Sequence, residues 1–150
     1  MLLEPNGKAS TTKKIFSRET GVSIDINSTA SRIWDLLTKA SEYPHWNSQI
    51  ISIEGQMAAG EKIILKSTLD PKRSFHLKIK EIDTNKRLVW GDAMGNRTFS
   101  IISKENSATF SMVEKIGGPF FPLFSRLIPS FDASFEQFAS DLKKAAERKL

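Results

Sequence analysis

Between residues 49 and 118 the apolar side chains recur at every second position in short runs, and each run ends at a turn signal. Phe75, Leu77 and Ile79 face one way; His76, Lys78 and Lys80 face the other. A period of two is that of a strand with one greasy face and one wet face. The same alternation marks 50–54, 61–69 (Ile63, Leu65 and Leu69 together), Leu88 with Trp90, Phe99 with Ile101, and Phe110, Met112, Glu114 and Ile116. The breaks fall at the glycine-bounded loop 55–60, at Asp70-Pro71-Lys72, at Asp83-Thr84-Asn85-Lys86, at 91–95 and at Glu105-Asn106-Ser107, where turn-forming residues cluster. Connections this short cannot hold a crossover, so the strands predict an antiparallel meander.

The flanks follow other periods. Residues 1–13 are polar and aperiodic and read as a loose leader; 14–150 read as one domain. A first strand region covers 14–26, clearest in Val22-Ser23-Ile24-Asp25-Ile26. Asn27-Ser28-Thr29 offers helix caps, because their side-chain oxygens accept from free amides of a first turn. Ala30, Ile33, Trp34 and Leu37 then form the i, i+3, i+4, i+7 stripe of an amphipathic helix. A second short helix is expected through Tyr43-Pro44-His45-Trp46. At the other end Phe120, Phe124, Leu127, Phe131, Phe135, Phe138 and Leu142 step by three, four or seven, which predicts a helix to about Arg148. Pro129 lies inside that pattern. It lacks an amide and clashes with the preceding turn, so a kink or break is expected there, with Ser130 or Asp132 restarting the helix. Helices segregated to one side of an antiparallel sheet make the α+β class.

Composition excludes several chemistries. The chain has 150 residues and no cysteine, so disulfides, thiolate nucleophiles and cysteine-ligated metals are impossible. With 22 Lys and Arg against 17 Asp and Glu the net charge is only +5. Its one local cluster, Lys143, Lys144, Arg148 and Lys149, falls at a predicted helix end, where cations complement the helix dipole. No helix-turn-helix, RNA-recognition motif or basic-aromatic stripe is present, so nucleic acid is not an expected partner. No apolar run approaches the ~18 residues of a transmembrane helix, and the N-terminus lacks the pattern of a secretory signal. A cytoplasmic location is expected.

Ile33-Trp34-Asp35-Leu36-Leu37, Tyr43-Pro44-His45-Trp46-Asn47, Leu88-Val89-Trp90, Glu114-Lys115-Ile116-Gly117-Gly118-Pro119 and Leu142-Lys143-Lys144-Ala145-Ala146-Glu147 occur in an order and spacing that resembles the helix-grip superfamily. That superfamily includes the START-like, Bet v 1-like and polyketide cyclase/dehydrase (SRPBCC) proteins. The resemblance spans about 14–148. It implies a seven-stranded curved antiparallel sheet wrapped around a long C-terminal helix, two short helices after the first strand, and a pocket between sheet and helix. Pro129 departs from the continuous helix this resemblance implies.

The residues argue for a pocket independently. Six of the ten phenylalanines lie within 119–138, several times an even share. Rings on one helix face either fill the space beneath it or wall a hollow. A dry void of ~300 Å³ would cost about 7 kcal/mol at ~24 cal/mol per Å³, which rivals the stability of a whole domain. A pocket is therefore closed by side chains, wetted or occupied. Walls of Trp46, Leu65, Phe75, Leu77, Trp90, Phe99, Phe110, Met112, Phe124, Leu127, Phe131 and Phe135 suit a small hydrophobic molecule that is aromatic, polyketide-like or lipidic.

Glu114 shares its strand face with apolar neighbours. A carboxylate there either orients a polar ligand group, acts as an acid, or is tied to Arg97, Arg126 or a backbone amide. Ser67 and Thr98 offer hydroxyls nearby. His45 and His76 read as surface residues and make no metal site, and no cofactor is expected. The 55–60 loop mimics a phosphate loop, but Glu61 stands where its lysine belongs and a strand follows. Three functions compete: a binder of a hydrophobic small molecule, a polyketide cyclase- or aromatase-like enzyme using Glu114 or an ordered water, and a membrane or protein interaction module using Phe120-Phe121-Pro122 as a wedge.

Overall fold

A computed structural model describes residues 2–148. Eight strands form one antiparallel sheet: β1 (Ser10–Lys13), β2 (Ser17–Ile26), β3 (Ile50–Glu54), β4 (Lys62–Ser67), β5 (Phe75–Asp83), β6 (Arg87–Gly91), β7 (Gly95–Ser103) and β8 (Ala108–Gly117). Helices α1 (Ala30–Thr38) and α2 (Tyr43–Trp46) separate β2 from β3. Helices α3 (Phe121–Phe124) and α4 (Asp132–Glu147) follow β8. The strand order β1-β2-β8-β7-β6-β5-β4-β3 makes 3 through 8 a meander, with β2 laid against β8.

Register shifts at Ile50/Ser52 and Ile79/Glu81 insert an extra residue and increase the local twist, which curls the sheet. The inward face carries Val22, Met112, Phe99 and Leu88 in one row and Thr20, Glu114, Arg97, Trp90 and Ile79 in the next. α4 lies on this face. Its Phe138 stacks on Phe110 with centroids 6.2 Å apart and touches Phe99, Tyr43 and Trp46.

Thr29 caps α1 as the sequence predicts: its hydroxyl accepts from the Arg32 amide at 3.1 Å. Arg32 in turn donates to the carbonyls of Ala146 and Ala145, at 2.8 and 3.0 Å, and so supplies partners to orphan groups at the C-terminal end of α4. Ile33, Trp34 and Leu37 form the buried stripe of α1.

One expectation is corrected. The sheet has eight strands, not seven, because Ser10–Lys13 of the expected leader pairs with β2. Gly7 also donates to the Ser23 carbonyl and Ala9 to the Glu136 carboxylate. β1 carries no apolar alternation because its inward residue is Thr11, whose hydroxyl bonds Thr20 and Asp132 instead of entering a greasy core. The phenylalanine stripe is not one helix, in keeping with the break expected at Pro129. α3 ends at Phe124, a 3₁₀ turn covers Ser125–Leu127, and the chain is extended at Ile128 before Pro129. The break expected at Pro129 is present, and Ser130 accepts the Asp132 amide as α4 begins. Of the basic cluster, Lys143 bonds Glu147 and the Asp25 carbonyl, Lys144 and Arg148 are exposed, and Lys149 lies outside the described residues.

Candidate functional site

α4 begins only at Asp132, so its rings cover one part of the inward face and leave another open. In the covered part Phe99, Phe110, Phe138, Trp90 and Trp46 meet edge to face, tilted or stacked, with centroids 4.7 to 6.3 Å apart. Phe99, Phe110, Met112 and Phe135 are buried to within 1% and belong to this core. Beyond it lies a pocket of about 360 Å³. Its walls include Leu65, Phe75 and Leu77 of β4 and β5, Trp90 of β6, Ile116 of β8, and Leu127, Ile128 and Phe131 of the link into α4. The loop 68–74 and the β6–β7 turn complete the rim with Leu69, Arg73 and Met94.

The sequence-derived candidates thus divide. Leu65, Phe75, Leu77, Trp90, Glu114, Leu127 and Phe131 line the pocket. Phe99, Phe110, Met112 and Phe135 do not; they are core. Trp46 packs on Tyr43 and Phe138, at 4.9 and 5.6 Å, away from the hollow. Phe124 meets Phe121 edge-on at 5.7 Å outside the lining. Ser67 lines the pocket, but its hydroxyl donates to the Gln49 carbonyl; Thr98 does not reach it. His45 is exposed beside Glu42, and His76 is exposed on the outer sheet face.

The polar feature of the wall is an ion pair. Arg97 on β7 and Glu114 on β8 occupy one register position, and the Arg97 Nε donates to the Glu114 Oε1 at 3.1 Å. Their side chains are 16% and 18% exposed. The guanidinium also lies 4.9 Å from the Phe135 ring centroid, where the ring quadrupole attracts it. Arg97 was foreseen as a partner for Glu114, but not as a lining residue. Its spacing two residues before Phe99 on the same strand carried that signal, since i and i+2 share a face. Arg126, the other candidate partner, is exposed on the α3 side.

Arg18 fixes the pocket's roof. It stacks over Phe131 at 4.7 Å and donates to the carbonyls of Ile128 and Pro129, at 3.2 and 2.8 Å. These two carbonyls lie where the helix is broken, so the arginine supplies the partners that helical amides would have given. The proline break and the buried arginine together hold the α3–α4 link over the sheet.

No known family profile and no curated protein matches this chain. Solved structures do. A conserved protein of unknown function from Enterococcus faecalis superposes with a TM-score of 0.70 at 14% identity, covering 95% of this chain and 79% of that one. A START superfamily protein from Mycobacterium smegmatis gives 0.63 at 14% identity, with 86% and 97% covered. Truncated norcoclaurine synthase from Thalictrum flavum gives 0.62 at 12% identity, with 93% and 98% covered. The chain therefore has the START/Bet v 1-like helix-grip fold, as the sequence motifs implied. At these identities the likeness speaks for the fold; function has to be argued from the site.

Proposed function

We propose that this protein binds a small hydrophobic molecule, aromatic, polyketide-like or lipidic, in the hollow between the sheet and the α3–α4 link. The observation that carries the reading is the pocket of about 360 Å³, walled mainly by apolar side chains and holding one ion pair, Arg97 with Glu114. Kept dry, that volume would cost about 9 kcal/mol, so it is filled in solution by water or a guest. Phe75, Trp90 and Phe131 put aromatic side chains in its wall, which suits an aromatic or aliphatic guest. The guanidinium edge not used by Glu114 offers donors to a carbonyl, hydroxyl or carboxylate at the ligand's end. The proposal is for a cytoplasmic protein without a resident cofactor, in keeping with a chain that carries no cysteine.

Native mass spectrometry of gently purified protein tests it. A co-purified adduct of a few hundred daltons is expected, and Arg97→Met is expected to lose adducts with acidic or carbonyl ends first. Bare protein under every gentle condition would count against the reading.

A second reading, a cyclase- or aromatase-like enzyme, is favoured by Glu114 reaching the wall. Norcoclaurine synthase shares the scaffold and is named as an enzyme. Catalysis by proton transfer needs a further polar group across from Glu114. Ser67 stands on the far side of the curled sheet, but its hydroxyl is already bonded to Gln49. If Glu114→Gln leaves a detected turnover unchanged, this reading loses its residue.

A further inference from the structure

We infer that the pocket end of the molecule docks on an anionic lipid surface. The antiparallel topology brings four segments to that end: the β1–β2 turn, the loop 68–74, the β6–β7 turn and the stretch 118–131 after β8. Backbone hydrogen bonds tie three of them together: Gly117 donates to the Met94 carbonyl and Gly118 to the Phe16 carbonyl. These segments carry Ile15, Phe16, Leu69, Met94, Phe120, Leu123 and Leu127, all exposed, with Phe120 at 69%, Leu123 at 81% and Leu127 at 83%. Among the described residues, the opposite end carries two exposed large apolar side chains, Leu2 in the stretch before β1 and Ile102 near the end of β7, against seven at the pocket end.

Cations are set among these apolar tips. Lys13, Lys14, Lys72, Arg73 and Arg126 are exposed on the same segments. The acidic groups there are Asp70, Asp92 and Asp132, the last of which accepts a hydrogen bond from Thr11. The pattern matches a bilayer interface: apolar tips enter the acyl boundary while lysine and arginine heads reach anionic headgroups. A protein partner fits less well. The core of a protein interface is depleted in lysine, and these tips stand on separate turns instead of forming one flat face. The pocket opens between these segments, so an apolar guest would pass between bilayer and hollow without crossing water.

Cosedimentation with vesicles tests the inference, comparing phosphatidylcholine alone with equal parts phosphatidylcholine and phosphatidylglycerol. The wild type is expected to bind the anionic vesicles, and to release them as salt rises. Lys13→Gln with Lys14→Gln should weaken binding roughly 10- to 30-fold, from about fivefold per cation. Phe120→Ser with Leu123→Ser should abolish most of it while the melting temperature and circular dichroism stay unchanged. Neither of those two residues lines the pocket, so ligand uptake should survive, and a failure here is separable from a failure of the binding reading. No binding to anionic vesicles at low salt, or binding that both variants leave intact, overturns the inference. So does self-association of the wild type that the Phe120→Ser/Leu123→Ser variant abolishes, if vesicles bind neither form.

Discussion

Arg97 and Glu114 face each other on adjacent strands, 3.1 Å apart from Nε to Oε1, in the wall of an otherwise greasy hollow. Each is mostly shielded from water, so each depends on the other. Removing one leaves the other's charge without its partner, which costs on the order of 1–3 kcal/mol. Arg97→Met and Glu114→Gln should each destabilise by that amount in urea denaturation. The double variant should lose about 1 kcal/mol less than the sum. Strict additivity would show that the pair is not coupled.

The filled and open parts of the inward face should answer truncation differently. Phe138 is 2% exposed and touches four other aromatic rings. Phe138→Ala should cost about 3–5 kcal/mol. Phe75 is half-buried in the pocket wall, and Phe75→Ala should cost less than half as much while enlarging the pocket. Equal losses by chemical denaturation would contradict the division.

Tyr43 is the only tyrosine, so tyrosinate absorbance reports on it alone. Burial pushes its phenol far above the ordinary value of 10.0, with a smaller opposing effect from Arg97. Its hydroxyl donates to the Leu37 carbonyl at 2.8 Å. The folded protein therefore holds this proton more tightly than the unfolded chain. That stability is fully present below pH 10 and is lost as pH rises above it, because the unfolded chain releases its proton first. Alkaline titration should show tyrosinate appearing together with loss of the fold. Tyrosinate forming near pH 10 in a protein with intact circular dichroism would refute the burial argument.

Gly95 opens β7 at the pocket's end, and a Cβ there would lie 2.1 Å from the Lys115 carbonyl oxygen of the neighbouring strand. Backbone cannot swing aside as a side-chain tip can. Gly95→Ala should destabilise by about 1–3 kcal/mol and displace the β7–β8 pairing. A thermal melt within experimental scatter of the wild type would mean that the strands separate there more easily than argued.

Much of this architecture is legible in the residues. Alternation locates six strands after α2 because one face of the sheet is buried and the other is wet, and the α1 stripe and its threonine cap follow from helical spacing and side-chain chemistry. β1 escapes notice because Thr11 replaces the usual apolar residue on its inward face and is satisfied by hydroxyl and carboxylate partners. The phenylalanine stripe misleads for a different reason. Its spacing continues across Pro129, but the helix does not, so Leu127 ends up 83% exposed at the rim while Phe135 is core. Periodicity says which face a residue takes; it does not say where along the sheet the helix begins. That starting point, Asp132, decides which candidates wall the pocket and which fill the core.

The central claim is that the open part of the inward face receives a hydrophobic guest. Titration with an environment-sensitive apolar dye tests it most directly, run on the wild type and on Leu77→Trp, whose larger ring would occupy the hollow from β5. The account predicts one saturable site in the wild type, and its loss in a Leu77→Trp protein that still folds. A wild type without a saturable site, or dye binding that the added ring leaves unchanged, would contradict it.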